Sequence, residues 1–373
     1  MLRVLMSVVG MNRGGLETFT MGLLRNIDRN KVCLDFLVSI DGDYDKEIIE
    51  LGSRIYKIPF ITKTGPFQYA KNLRSFFKDH PEYRIIHIQM DKFGGMVARE
   101  AAKSGIPVRI VHSHNTKNEG GILYKLVKNY YGRLIPHYAT DLFACGEDAA
   151  KWMFKEDASK AVIVRNGVDL NKFKCRDNRD NNYLTIGNVG RFSTQKNHSF
   201  LLDIFSEVKK LKANSKLILA GTGKFLNEMK NKSKKLGIFE SVEFLGVRPD
   251  VEEILTMCDV ICMPSLFEGF PVTLVEVQAV GVPAVVSDTI TKECAITEDV
   301  EFMSLRYSPM EWAEKLVGYK GLKRKDNSAV IEKAGFSIVS VTKEMQKFYL
   351  ERIKEDQLHN NSSMKGFCYE QKI

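Results

Sequence analysis

The chain has 373 residues, 44% hydrophobic and 27% charged, with a formal net charge of +9. That length exceeds one ordinary core and points to two domains, and the composition is that of a soluble globular protein. No run approaches the roughly 18 apolar residues of a membrane helix, and the opening Met1 to Gly10 lacks the length and the cleavage site of a signal peptide. Seven scattered cysteines argue for reduced thiols in the cytosol rather than a disulfide framework. Cys258 and Cys262 lack a second Cys or His pair, which argues against zinc. Residues 1–175 hold 27 Lys and Arg against 19 Asp and Glu, whereas the remainder holds 28 against 27. A basic first half suits an anionic membrane surface. With no zinc finger, RRM-like aromatic motif or basic repeat, no nucleic-acid partner is expected.

Met1 to Gly10 reads as the first strand. Gly10-Met-Asn-Arg-Gly-Gly-Leu-Glu17 follows, matching neither the dinucleotide fingerprint nor the Walker loop. Gly14 and Gly15 would let backbone approach a ligand at the start of a helix through Leu24; a plain strand-to-helix turn explains the same residues. Strand-like runs come at Cys33 to Ile40, Arg54 to Ile58, Ile85 to Gln89, Val108 to His112, Asp141 to Cys145 and Ala161 to Val164. Helix-like stretches such as Phe67 to His80 and Gly94 to Ser104 separate them, which argues for a parallel sheet covered on both faces. Asp41-Gly-Asp43 is read as an ordinary turn rather than a metal motif. His112-Ser-His114 lies at the carboxyl end of a strand, where open α/β sheets keep their ligands.

From Gly121 to Ile135, Leu123, Val127, Tyr130 and Leu134 share one helical face, with Lys125 and Lys128 toward other sides. Tyrosines and lysines beside an apolar stripe suit a membrane interface; a core-packing helix with a wet face fits equally. Asn166-Gly-Val-Asp169 is a strong turn signal, and the polar, aperiodic Lys174 to Asn182 reads as the interdomain linker.

Alternation restarts with a strand at Tyr183 to Val189, the loop Gly190-Arg191 to His198, and a helix from Ser199 to Leu211. Arg191 and Lys196 emerge beside a strand end and a helix start, where two cations can neutralise a diphosphate. Two solvated loop cations would explain the same string standing alone. Lys216 to Gly221 and Val242 to Gly246 are further strands, with Pro249 opening a helix through Met257. Val260 to Met263 is short and bounded by Pro264, hence a buried strand. Leu266 to Phe270 is then a loop. Pro271 is expected as the first residue of a helix to about Val280, which Gly281 caps and Pro283 ends. Glu268 in that loop and Glu276 on that helix flank amides near Phe270 that suit an anion or sugar hydroxyls. Taken singly, each glutamate is an ordinary solvated residue. Pro309 to Val317 and Val341 to Lys354 look helical, and the last residues are polar.

The string Glu268-Gly-Phe-Pro-x5-Glu276 followed by Gly281-Val-Pro283 resembles the Glu-x7-Glu signature of the large retaining glycosyltransferase family of the GT-B fold. Gly14-Gly15-x-Glu17 resembles that family's donor-phosphate loop, and Gly190-Arg191 with Lys196 resembles its cationic pair on the leaving diphosphate. The resemblance spans roughly residues 2–355 and is densest from Gly190 to Pro283. The chain is similar to family 4 glycosyltransferases, and its opening to capsular or exopolysaccharide transferases among them.

The resemblance implies an α/β chain of two Rossmann-like, doubly wound domains facing across a cleft. The acceptor domain would be 1–175, with a helix at 341–357 crossing back onto it; the donor domain would be 176–340, and 358–373 a tail. It further implies that Arg191, Lys196 and the amides near Gly14 and Gly15 stabilise the leaving diphosphate, in place of a metal or cofactor. Glu276 would accept the ribose hydroxyls. Glu268 would orient the sugar, with Gly269 and the Phe270, Pro271 and Val272 backbone nearby. His114 would touch the sugar, and the loop with Val247 and Arg248 would read the base. UDP is the expected nucleotide, with GDP as the alternative. The acceptor would be a saccharide or lipid-linked saccharide, and the enzyme cytoplasmic or peripheral on that face of the membrane. Two rivals are an epimerase of UDP-sugars at C2 and a non-catalytic partner of another transferase. The first needs further acid–base residues, and the intact Arg191, Lys196, Glu268 and Glu276 argue against the second.

Overall fold

The computed structural model describes residues 1–116 and 121–370, with side chains to residue 358. It divides into two units, Met1–Gly167 with the chain from Ile338, and Val168–Ser337.

Short apolar runs with β-branched residues are too brief for helices and form strands, buried on both sides at the sheet centres and open to solvent toward the edges Ile55–Lys57, Val162–Ile163 and Val300–Met303. In the first unit these are β1 (Leu2–Ser7), β2 (Val32–Val38), β3 (Ile55–Lys57), β4 (Ile85–Ile88), β5 (Val108–Ser113), β6 (Asp141–Ala144) and β7 (Val162–Ile163). They pair all-parallel in the order β3-β2-β1-β4-β5-β6-β7. In the second unit β8 (Leu184–Val189), β9 (Ser215–Ala220), β10 (Val242–Gly246), β11 (Val260–Met263), β12 (Ala284–Ser287) and β13 (Val300–Met303) pair all-parallel as β10-β9-β8-β11-β12-β13. Both sheets have the Rossmann strand order, which reverses between β1 and β4 in one and between β8 and β11 in the other. Loops following those strands part there and leave a crevice for a ligand.

Each unit has its own apolar core. The first packs Phe19, Leu23 and Leu24 of helix Gly15–Asn26 against Val4 and Leu34 of the sheet, with Ile338, Met345 and Tyr349 of the C-terminal helix joining them. The second packs Leu201, Phe205 and Trp312 on one side of its sheet and Leu274, Val277 and Phe336 on the other.

Several boundaries differ from those expected. The units part at Gly167 and Val168 rather than at 175/176, because Val168 and Phe173 are already buried in the second unit's core. The segment Lys174 to Asn182 is therefore no linker. Its polar residues are anchors: Arg176 pairs with Glu253, Asn178 with Thr256, and Arg179 reaches the buried Asp259. The side chain of Arg179 also holds the Asp177 carboxyl down to about 2. The C-terminal helix runs Ile338–Glu370, beyond the expected 341–357 and through most of the expected tail. Pro271 is the N-cap of helix Val272–Ala279, not its first residue. β13 escapes a reading based on apolar runs because this edge strand is only half-buried and alternates Glu301 with apolar neighbours.

The helix Ile122–Gly132 turns the expected packing round. Ile122, Leu123 and Leu126 are 82%, 75% and 61% exposed, whereas Lys128 and Tyr131 are buried. Lys128 pairs with Asp91, and Lys92 donates to the Asn129 side-chain oxygen at 2.8 Å, so polar groups dock the helix on the turn after β4. Leu123, Val127 and Tyr130 of the expected stripe are left outside, while Tyr131 packs inward against Phe93.

Candidate active site

In the second unit the crevice between β8 and β11 is bounded by two loops that are stitched together. Leu266 N donates to the Gln195 carbonyl at 2.8 Å, and the Asn197 amide donates to the Pro264 carbonyl at 3.0 Å. Asn197 adopts φ +53°, a left-handed conformation that asparagine tolerates better than bulky residues do. Beneath them the turn Gly221-Thr222-Gly223 packs on the first loop. Phe192 N donates to the Thr222 carbonyl at 2.9 Å, and a Cβ on Gly221, at φ +144°, would run into the Gly190 carbonyl. Only glycine permits that approach.

Within this frame Lys196 Nζ lies 2.7 Å from Glu268 Oε1, with the two side chains 15% and 6% exposed. Ser265 Oγ donates to the same oxygen at 2.7 Å and Gln195 Nε2 to Oε2 at 2.9 Å. Lys196, Ser265 and Gln195 thereby help fix Glu268 from loops that are each backed by a strand. The Lys196 stem runs over Gly190, where a Cβ would crowd it at 3.0 to 3.4 Å. Below, His198 stacks on Phe192 with centroids 4.2 Å apart. Burial and then the Lys196 charge push its imidazole down to about 4. Arg191, in the same loop, is exposed and has no ion-pair partner among the described residues.

Glu276 sits on helix Val272–Ala279, past the N-terminal amides. It is only partly exposed, and burial pushes its carboxyl up to about 7, countered by Lys172 and reinforced by Glu252. Lys172 bridges Glu252 at 3.0 Å and donates to the Pro249 carbonyl at 3.0 Å, tying the segment after β10 to the neighbourhood of Glu276. Phe270 stacks on Phe336, centroids 5.5 Å apart, and Pro271 is buried, so both side chains serve packing and offer only backbone to a ligand. Gly269 and Val272 are half-buried beside them. Val247 is exposed at the end of β10, and Arg248 forks both oxygens of Asp250.

In the first unit Gly14 caps helix Gly15–Asn26, in extended backbone at φ −145°. A Cβ on Gly14 would meet the Glu17 carboxylate, which folds back over the helix start, so it is space rather than dihedral freedom that favours glycine. His114 follows β5 and packs on Phe19 of that helix, centroids 5.7 Å apart. Burial pushes its imidazole down to about 3, against the opposing effect of Asn166, so the ring is neutral. Gln195, Ser265, Lys172 and Glu252 were not singled out in the sequence. Lys172 and Glu252 carry no local signal, whereas Gln195 beside Lys196 and Ser265 three before Glu268 had one in their loop positions.

Comparison with known proteins agrees with this layout. The model for "Glycosyl transferases group 1" matches residues 171–319, and that for "Glycosyltransferase Family 4" matches residues 13–172. A Bacillus subtilis (strain 168) chain named as a glycosyltransferase, EpsF, is 36% identical over 84% of this chain and 86% of its own length. An Escherichia coli UDP-Gal:alpha-D-GlcNAc-diphosphoundecaprenol alpha-1,3-galactosyltransferase is 25% identical over 78% of this chain and 79% of its own. Among solved structures, Anabaena HepE in complex with UDP and glucose superposes with a TM-score of 0.77 at 17% identity, covering 94% of this chain and 99% of that one. That likeness shows the GT-B fold.

Proposed function

The chain belongs to the family 4 glycosyltransferases, and from that premise we propose a retaining, metal-independent enzyme that moves a sugar from a UDP-sugar to a saccharide or lipid-linked saccharide. A Staphylococcus aureus relative named as a capsular polysaccharide biosynthesis glycosyltransferase, 22% identical over 94% of this chain and 99% of its own length, supports the synthesis of a capsular or other exported polysaccharide as its setting. UDP is supported by the donor of the Escherichia coli relative and by the UDP complexes of the structural neighbour.

The observation that carries the reading is the Lys196–Glu268 contact at the strand-order reversal of the second unit, beside an uncommitted Arg191. Cleaving a sugar–phosphate bond puts negative charge on the leaving diphosphate and positive charge on the anomeric carbon. Arg191 and Lys196 oppose the first, and fixed donors of this kind supply the largest electrostatic term open to a site. Glu268, held by Gln195 and Ser265, accepts from sugar hydroxyls and favours the cationic carbon. Glu276 accepts from the ribose hydroxyls, and the Gly246 to Arg248 backbone reads the base. From the first unit, the Gly14 and Gly15 amides act on the diphosphate and His114 on the sugar. In retention by front-face attack the acceptor oxygen bonds to the anomeric carbon as the carbon–phosphate-oxygen bond breaks, and a phosphate oxygen takes the acceptor proton. No metal or cofactor enters this scheme.

The exposed apolar face of helix Ile122–Gly132, in the basic half of the chain, supports a peripheral seat on the cytoplasmic face of an anionic membrane. Among the described residues no helix is long and apolar enough to cross a membrane.

The test is a panel of UDP- and GDP-sugars, read by melting temperature and by nucleotide release. A UDP-sugar should stabilise the protein by an amount that grows with the logarithm of its excess over Kd and be slowly hydrolysed. A panel that neither shifts the melting temperature nor releases nucleotide overturns the reading.

A further inference from the structure

His87, His112 and His114 adjoin one another in the first unit, and the first two have no part in the scheme above. His87 of β4 and His112 of β5 are buried, their rings 5.2 Å apart at the centroids and tilted by only 17°. His87 Nε2 and His112 Nδ1 are 3.1 Å apart, and His87 Nδ1 lies 2.7 Å from the hydroxyl of Tyr349 on the C-terminal helix. His112 then meets His114 ring to ring, centroids 4.0 Å apart. The four side chains form one continuous series from the last helix to the residue assigned to the sugar.

Burial keeps both inner rings neutral, with His87 pushed down to about 3 and His112 well below the ordinary histidine value. Each ring therefore has one N–H and one lone pair. Two proton arrangements satisfy the two contacts. In one, Tyr349 donates to His87 Nδ1, His87 Nε2–H donates to His112 Nδ1, and His112 is left with Nε2–H. In the other every bond reverses, and the Tyr349 hydroxyl proton points at nothing, since its oxygen has no second partner among the described residues. Tyr349 is fully buried, so that orphan proton would find no water. Both arrangements leave His112 Nε2 unpartnered, as an N–H in the first and a lone pair in the second, and the second orphans the hydroxyl proton as well, so the first leaves fewer buried groups unsatisfied.

We propose that Tyr349 is a positioning residue: through His87 it fixes His112 as the Nε2–H tautomer, and His112 so fixed holds the ring of His114 in place. The unpartnered His112 Nε2, buried among rings, is where this ordered series ends. The assignment rests on the proposed sugar contact of His114 only for its effect on transfer, not for the hydrogen-bond series itself.

The test uses the full-length chain with 15N-labelled histidine and long-range 1H–15N correlation at neutral pH. His87 and His112 should both show a protonated Nε2 and an unprotonated Nδ1. Removing one oxygen with Tyr349→Phe should shift the ring nitrogens of His112 as well as those of His87, and lower kcat for the donor with KM little changed. A protonated Nδ1 on wild-type His112 overturns the proposal without any variant. So does a folded Tyr349→Phe protein whose His112 signals stay where they were, a result that a merely space-filling Tyr349 would give. Wild-type protein that transfers no sugar would overturn the functional reading, while the nitrogen shifts still decide the series.

Discussion

The ammonium of Lys196 and the carboxylate of Glu268 meet at 2.7 Å although they belong to loops after different strands, β8 and β11. The contact makes each residue the counter-charge of the other before any ligand arrives. In the proposed scheme a diphosphate would share Lys196 with Glu268, and Glu268 would orient a sugar only while Lys196, Gln195 and Ser265 hold it. Lys196→Ala and Glu268→Gln should each lower kcat about 10²-fold, the scale of losing one preorganised charge group. Because each loss also spoils the partner, the double variant should fall well short of the product of the two. Steady-state kinetics of the four proteins check this, and strict multiplicativity would show two independent roles.

Glu276 gives a prediction in pH. Its folded-state pKa, raised to about 7, lies above the ordinary glutamate value of 4.5. Folding therefore favours the protonated form: the penalty is absent below the unfolded value, grows between the two, and is complete above about 7. Glu276→Gln removes it, so the variant should melt higher than wild type at pH 8 and about equal to it near pH 4.5. In the proposed role the charged form of Glu276 accepts from the ribose hydroxyls, so UDP affinity in the wild type should rise as pH climbs from 6 to 8, and the variant's should stay weak and flat. Thermal melts and calorimetric titration across that range read both signs.

How much of this was legible in the sequence follows from how local each signal is. Among the described residues thirteen strands form the two sheets, and the central ones announce themselves as short apolar runs, because a strand covered on both faces has no wet side to mask it. Glu268, Glu276, Arg191 and Lys196 stand out in the sequence because fixed spacing around Gly and Pro is itself a local pattern. Lys172 was invisible: its meeting with Glu252 is made by the fold across a long sequence separation. Lys174 to Asn182 misled because polarity without period looks the same whether the partner is water or the buried Asp259. Helix Ile122–Gly132 misled for the converse reason, since an apolar stripe does not say which side the protein occupies.

Arg191 offers the sharpest contrast with metal-dependent transfer. If two side-chain cations bear the leaving-group charge, chelation should leave turnover unchanged, and Arg191→Ala should cost about 10² in kcat. Lys at this position should recover only part, because a point charge cannot fork two phosphate oxygens. Assays with and without EDTA, followed by Mn²⁺ addition to each variant, decide the matter. Activity abolished by chelation and restored by Mn²⁺ would remove Arg191 and Lys196 from their proposed role.

Helix Ile122–Gly132 presents Ile122, Leu123 and Leu126 outward while Lys128 is spent on Asp91. Its fold therefore does not depend on those three apolar side chains, which makes them separable from stability. Leu123→Glu with Leu126→Glu should leave the melting temperature within a degree or two, since surface changes away from packed groups cost about 0.5 kcal/mol or less. On vesicles rich in anionic lipid the effect should be large, because each buried apolar side chain contributes roughly 1.5–3 kcal/mol and each added carboxylate repels the surface. Flotation of wild type that weakens with salt, and its loss in the variant, is the expected pair of results. Salt weakens only the charged share, so the wild type should retain some binding where the apolar face still inserts. Wild-type protein that ignores anionic vesicles at low salt would leave the exposed stripe to some other partner and end the membrane assignment.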